Sequence, residues 1–385
     1  MQKIWDGFLK DCVTKFFLIL ELNYNKMSII NKSKLYSPNI VDHENAHRLY
    51  LNENLYPLHP GCLDALSLIP ESRIRFYTAS KNNLIEEAIA DTLQTGTECL
   101  VLNHGAAEII KQIYVMMRTM EKNTVCICTP AWPYYTSLAH LFGFTIIDIP
   151  LLENKHQYNF DIKKLLELQS NQPSLLVLNS PHMPTGGFIS YEKVKIIAKT
   201  LPKTCILLDE AYWGFSESIN FNTYNQNILL SECSNVIIVR TFSKFYGLAS
   251  LRIGFALTNK NLAEDLTLFG PLFGLSYPAQ LIASTVLKSK EYYHKKSGEI
   301  QKSRDVFIKH INNNSQMTAY VSTANFVLIK VPLSMGSKII SKLAKAGYHV
   351  RNCNTYELAG HFRITIGSAE IMHNITSILE SIISD

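Results

Sequence analysis

The 385-residue sequence has little of what marks several functional classes. It lacks a long hydrophobic run. The apolar stretch Phe16-Phe17-Leu18-Ile19-Leu20 is far shorter than the roughly 20 residues a spanning helix needs. It is flanked by Lys15 and Glu21 and has no convincing signal-peptide cleavage site, so a helix packing on the body or on a partner subunit is expected there. The eight cysteines are scattered: none has CxxC spacing and none clusters with histidine as zinc ligands do. No metal site is expected, and a mostly reduced, cytoplasmic protein fits best. Charge is sparse at 18% of residues, and the net +5 comes without Lys/Arg runs, so neither nucleic acid nor a membrane surface is implied as a partner. Repeats and low-complexity tracts are missing as well. What is plentiful is apolar content, at 47%, enough for a sizeable core divided between a large and a smaller domain.

From about residue 75 to 260, short β-branched apolar runs alternate with longer amphipathic segments. Val125–Cys128, Thr145–Ile149, Leu175–Leu178, Cys205–Leu208, Val236–Val239 and Ile253–Leu257 read as buried strands, and Glu108–Met120 and Tyr191–Thr200 as helices. If Val125–Cys128 is a strand, Cys126 and Cys128 point the same way. This alternation implies an α/β fold, a mainly parallel sheet flanked by crossover helices, with function gathered at the loops after the strand C-termini. From about residue 277, helical segments lead through a long helix around Tyr292–Asn312 to strands near Asn325–Lys330, His349–Arg351 and Phe362–Ile366, reading as a smaller α+β domain. The expected divisions are 1–70, an N-terminal segment packing on the small domain or a partner subunit; 71–285, the large domain; and 286–385, the small one.

Five segments carry candidate chemistry. Asn103-His104-Gly105-Ala106-Ala107-Glu108 opens a helix whose small residues let backbone N–H groups approach an anion, although a plain glycine turn explains it too. Trp132, between Pro130 and Pro133 after a strand, either stacks on a flat ring or caps the core. Asn179 to Gly187 is a rigid turn after a strand. Asp209 ends an apolar strand, where a desolvated carboxylate needs a cationic or hydrogen-bonding partner. The most specific is Thr241-Phe242-Ser243-Lys244, with Arg252 eight residues beyond the lysine. A lysine at a sheet edge beside apolar surface and a second cation has a lowered pKa and can act as an amine nucleophile. Ser243 and Arg252 suit a phosphate, the arginine bidentately.

In this order the segments resemble the fold-type I, class I/II aminotransferase family of pyridoxal 5′-phosphate (PLP) enzymes, from about Asn52 to the C-terminus. The resemblance is closest to the histidinol-phosphate aminotransferase branch, which also contains threonine-phosphate decarboxylase. That branch is suggested by Leu51-Asn52-Glu53-Asn54, by Tyr77 upstream of a helix, and by Arg351 twelve residues before Arg363 in Phe362-Arg363-Ile364-Thr365-Ile366-Gly367. The resemblance implies that Lys244 holds the cofactor as a Schiff base and shuttles the proton. Asp209 would pair with the pyridinium nitrogen, Tyr212 with ring O3′, and Trp132 would stack on the ring. Ser243, Arg252 and the backbone at Ala106 and Ala107 would bind the cofactor phosphate. Tyr77 would reach that phosphate from the other subunit of a homodimer. Arg363 would bind the substrate anion with Arg351 close by, although a structural salt bridge also explains Arg351. Two departures stand out. Ser180 and Met183 replace both asparagines of the family's Asn-Pro-x-Asn-Pro-Thr-Gly motif, and Met183 cannot donate to O3′; Ser250 stands where glycine is usual. The expected function is an aminotransferase moving an amino group between an anionic amino acid or phosphorylated amine and an oxo acid. The alternatives are another reaction at Cα (decarboxylation, elimination or oxidation) and a non-catalytic binding protein on the same fold.

Overall fold

Apolar residues on both faces of the strands settle how the larger sheet is built. In a computed structural model of the chain, residues 36, 46–78, 83–216, 225–313 and 316–384 are described, and every element below belongs to the unit Ile40–Asp385. The stretch Phe16–Leu20 lies outside the described residues. The strands are β1 (His47–Leu49), β2 (Leu100–Asn103), β3 (Thr124–Thr129), β4 (Thr145–Pro150), β5 (Leu152–Asn154), β6 (Gln157–Asn159), β7 (Leu175–Asn179), β8 (Cys205–Asp209), β9 (Val236–Thr241), β10 (Gly254–Leu257), β11 (Thr318–Ala319), β12 (Phe326–Lys330), β13 (Tyr348–Asn352) and β14 (His361–Thr365). A seven-stranded sheet runs β2-β10-β9-β8-β7-β3-β4, with β10 antiparallel to both its neighbours and the remaining pairs parallel.

Strand side chains alternate between faces, and here both faces are covered. Cys126, Cys128, Leu176, Leu178, Ile206 and Leu208 enter one core, while Val125, Ile127, Leu175, Val177 and Leu207 enter the other. The two strand cysteines therefore do share a face. Such double burial is why these strands read as continuous apolar runs. Helices Ala106–Thr119 and Tyr191–Thr200 fall where the amphipathic spacing placed them.

The second sheet has five strands, β1-β13-β14-β12-β11, and shares the first core through Tyr320, Phe326, Phe362 and Ile364. The long helix Lys290–Asn312 leads to it. Strand β1 pairs in parallel with β13, so residues 47–49 belong to this sheet although they lie some 300 positions upstream. Three residues carry no legible period, and β1 was not expected from the sequence. Among the described residues no helix is long and apolar enough to cross a membrane, no group of acidic, His and Cys side chains could hold a metal ion, and the seven described cysteines are free.

Candidate active site

Strand register brings the chemically interesting loops to one edge. Asn179 lies opposite Asp209, Asp209 opposite Val239, and Gly254 opposite both Thr241 and Asn103. The C-terminal ends of the parallel strands and the start of antiparallel β10 thus converge, as in other open α/β sheets.

Asp209, the last residue of β8, is buried. Tyr135 donates its phenol proton to Oδ2, and the Ala211 backbone N–H donates to Oδ1 at 3.0 Å. No basic side chain pairs with it among the described residues, and burial pushes its pKa up to about 6. A buried carboxylate in that condition is stabilised by an incoming cation.

Lys244 lies just past β9 and is half-buried, its Nζ donating to the Leu51 carbonyl at 2.6 Å. Burial first, then the nearby Arg363 and Arg252 charges, lower its pKa to about 8 against an opposing pull from Glu53. The neutral, nucleophilic amine is therefore accessible near neutral pH. Tyr212 lies beside it, with Nζ 5.8 Å from its ring centre. Burial pushes the Tyr212 phenol up to about 12, and its oxygen accepts from Asn52 Nδ2 at 3.0 Å.

The glycines outline an anion cradle. Gly105, at φ +87°, precedes helix Ala106–Thr119, whose first turn has no side-chain cap, so its backbone donors remain available. A Cβ on Gly105 would lie 2.6 Å from Arg252 Nη2, and one on Gly254 would lie 2.5 Å from the Ala106 nitrogen. The guanidinium and the helix start are thus packed tightly enough that only glycine fits. Arg252 Nη1 donates to Ser243 Oγ at 3.3 Å. Helix amides, hydroxyl and guanidinium together match a phosphate. Trp132 is partly exposed at the start of the next helix, tilted against Tyr134 at 4.8 Å and edge-on to Tyr135 at 5.6 Å. Ser250 points to solvent in a short turn, so a side chain is tolerated there.

The five-stranded sheet contributes the arginines. Arg363 on β14 and Arg351 on β13 are register partners. Arg363 is buried; its Nη2 donates to the Tyr50 carbonyl at 2.7 Å, its Nη1 to Met183 Sδ at 2.8 Å, and its Nε has no acceptor. Arg351 donates weakly to Thr355 Oγ1 at 3.5 Å and leaves its Nε unmet. Neither arginine has a carboxylate partner among the described residues, so the salt-bridge explanation of Arg351 finds no support. Two like charges opposite each other on a sheet are unfavourable, and an anion between them relieves the repulsion.

Lys244, Asp209, Tyr212, Ser243, Arg252, the Ala106–Ala107 helix start, Trp132 and Arg363 are thus brought to one region. Tyr77 is not. It is 83% exposed and stacks on Phe273 at 4.4 Å, with no contact to the Lys244 cluster among the described residues. Sequence reasoning assigned no role to Asn52 or to Tyr135 as the partner of Asp209. Their signals were Leu51-Asn52-Glu53-Asn54 and the second tyrosine of Pro133-Tyr134-Tyr135.

Residues 48–382 match the family model described as aminotransferase class I and II. A histidinol-phosphate aminotransferase of Archaeoglobus fulgidus is 31% identical over 83% of this chain and 88% of its own length. Among solved structures, the histidinol-phosphate aminotransferase of Sinorhizobium meliloti in complex with pyridoxal 5′-phosphate superposes with a TM-score of 0.78 at 24% identity, covering 88% of this chain and 91% of that one. The L-threonine-O-3-phosphate decarboxylase of Porphyromonas gingivalis gives a TM-score of 0.77 at 17% identity, covering 88% and 99%; at that identity the likeness is one of fold.

Proposed function

As a member of the class I and II aminotransferases, in the branch of the histidinol-phosphate aminotransferases, this chain is a PLP-dependent transaminase, and we propose that its amino donor is an anionic amino acid or a phosphorylated amine and its acceptor an oxo acid. The observation that carries the substrate class is Arg363: a buried guanidinium without a carboxylate among the described residues, close enough to Lys244 to lower its pKa. Because the named relatives are histidinol-phosphate aminotransferases, histidinol phosphate is the first donor to test.

The cofactor supplies a protonated pyridine ring that accepts electron density released at the substrate's Cα. The remaining work falls to this chain's side chains. Asp209 holds the proton at the ring nitrogen, and the cation there offsets the burial cost that otherwise raises its pKa. Tyr212 donates to O3′. The amides of Ala106 and Ala107, with Ser243 and Arg252, hold the phosphate. Lys244 would hold the cofactor covalently in the resting enzyme, and its freed amine would move the proton between Cα and the cofactor's carbonyl carbon. Arg363, supported by Arg351, orients the donor through its anionic group. The test is a panel of amino acids and phosphorylated amines offered without acceptor, scored by the visible spectrum of the bound cofactor. Recovery of the cofactor carrying the amino group supports transamination; release of carbon dioxide from a carboxylated donor marks a decarboxylase instead. Lys244→Ala is expected to abolish turnover, and borohydride labelling of any other lysine in the native protein would contradict its role.

A homodimer with shared sites is part of the proposal. Phe76 and Tyr77 are exposed beside Phe273, with Leu268 and Leu272 about 80% exposed on the same stretch of chain. Apolar side chains grouped in this way mark an interaction surface. Sedimentation should give a dimer at micromolar concentration. Mixing inactive Tyr77→Phe and Lys244→Ala chains should restore activity, because one site of the mixed dimer is then intact; a fully active monomer would refute it.

A further inference from the structure

The loop 180–187 places methionine where the family pattern has the asparagine that donates to O3′, and nothing else in that loop replaces it. The Met183 sulfur lies against Arg363 and has no proton to give. Ser180 Oγ is closed into a ring with its own loop, accepting from Ile189 N–H at 3.1 Å and donating to the Ile189 carbonyl at 3.4 Å. His182 meets Thr185 Oγ1 through Nδ1 at 2.9 Å and is hydrogen-bonded to the Cys128 backbone, and burial keeps it neutral down to about pH 4.

Tyr212 is differently situated. Its oxygen accepts from Asn52 Nδ2, so its own proton must point elsewhere, and no acceptor for it exists among the described residues. The direction of that bond is favoured from behind. Thr365 Oγ1 accepts from the Asn52 backbone N–H at 3.1 Å, which turns its proton toward Asn52 Oδ1 at 3.4 Å. A flipped amide would turn Nδ2 to Thr365 Oγ1, displacing the hydroxyl's proton from its acceptor, and present Oδ1 to Tyr212, capturing the phenol proton. Asn52 is fully buried, so water does not compete for the amide.

We propose that Asn52 is a positioning residue that, with Thr365 behind it, aims the Tyr212 proton at the cofactor's O3′, where the loop 180–187 offers no side-chain donor of its own. The proposal rests on the assignment of Lys244 as the residue that bonds the cofactor. A donor accepting one hydrogen bond while giving another is strengthened by the first. Stabilising the O3′ phenolate favours the deprotonated C=N linkage to Lys244, so each donor lowers the pKa of that linkage.

The test is a spectrophotometric pH titration of the holoprotein, in the native chain, Asn52→Gly, Tyr212→Phe and the double variant. Glycine is the replacement of choice because Asn52 has φ +55°. Tyr212→Phe should raise the linkage pKa by about one to two units. Asn52→Gly should raise it by a fraction of that, and should add nothing once Tyr212 is Phe. Met183→Asn should lower it by about one to two units in either background, because it adds an independent donor. If Asn52→Gly does not fold, Thr365→Val frees the amide to flip and must shift the pKa in the same direction. No shift in either variant, or an equal shift in the Tyr212→Phe background, overturns the positioning role. A native protein without any titrating chromophore overturns the Lys244 assignment as well, and is told apart because it appears before any mutation is made.

Discussion

Asp209 and Glu210 are neighbours in sequence, both buried, yet they have opposite fates. Glu210 accepts from Arg240 Nε at 2.8 Å and from Tyr191 at 2.9 Å, and the same guanidinium lies 4.0 Å over the Trp213 ring. Its charge is matched within the fold. Among the described residues Asp209 receives two neutral donors and no cation, while Arg363 is a buried cation without an anion. The matched pair is structural; the two unmatched charges stand where the proposed function would bring opposite charges with cofactor and substrate. The difference teaches where to look for function: buried charges that a fold leaves unneutralised point to a site that something else completes.

Breaking the matched pair should have the largest effect. Glu210→Ala leaves Arg240 buried and uncompensated, at an expected cost of about 3–5 kcal/mol in denaturant unfolding, and replacing both residues by methionine should recover much of it. A loss below about 1 kcal/mol would place the pair among the weak surface-like bridges. Next comes Asp209→Asn, which should have opposite signs in the two forms of the protein. The folded pKa of Asp209 is raised to about 6 from 3.8, so its ionisation destabilises the cofactor-free fold. The penalty is absent below about pH 4, grows between pH 4 and 6, and is fully present above. Asp209→Asn should therefore stabilise the cofactor-free protein at pH 7–8 by up to about 3 kcal/mol, converting 1.4 kcal/mol per pKa unit, and by nothing near pH 4, while weakening PLP binding. Thermal melts across that range decide it; a variant destabilised at pH 8 would mean that Asp209 is already compensated. The smallest effect should be Arg363→Ala, which removes a charge-assisted contact of about 1.5–3 kcal/mol from anionic donors, read as a ten- to hundredfold weaker apparent affinity. Unchanged affinity would move the anchor to Arg351.

This contrast was only half legible in the sequence. Lys244, Asp209, Ser243 and Arg252 stand at or beside strand ends, and strand ends are marked by where apolar runs stop. Tyr191–Thr200 was legible to the residue because Ser190 caps it, its side chain accepting from Lys193 N–H. The pairing of Glu210 with Arg240 was not, because each looks like a stray charge at the end of an apolar run until β8 and β9 are laid side by side. Asn52 and Tyr212 are 160 positions apart, and no local pattern links them. Strands β1 and β11 are too short to show a period. What escaped was pairing across the fold; what was visible was composition along the chain.

The segment Tyr50–Asn54 has no helix or strand of its own, yet nearly every polar group along it is engaged by a distant element. The Tyr50 carbonyl takes Arg363, the Leu51 carbonyl takes Lys244, the Asn52 carbonyl takes Asn325, and Asn54 Nδ2 reaches the Phe245 carbonyl. Loops ordinarily absorb insertions and deletions because little depends on their length. Here consecutive carbonyls serve two different cations, so slipping the chain by one residue would take its carbonyl from each of Lys244 and Arg363 and turn the Asn52 amide away from Tyr212. The segment works as a vernier scale: its length, as much as its side chains, sets which carbonyl meets which cation.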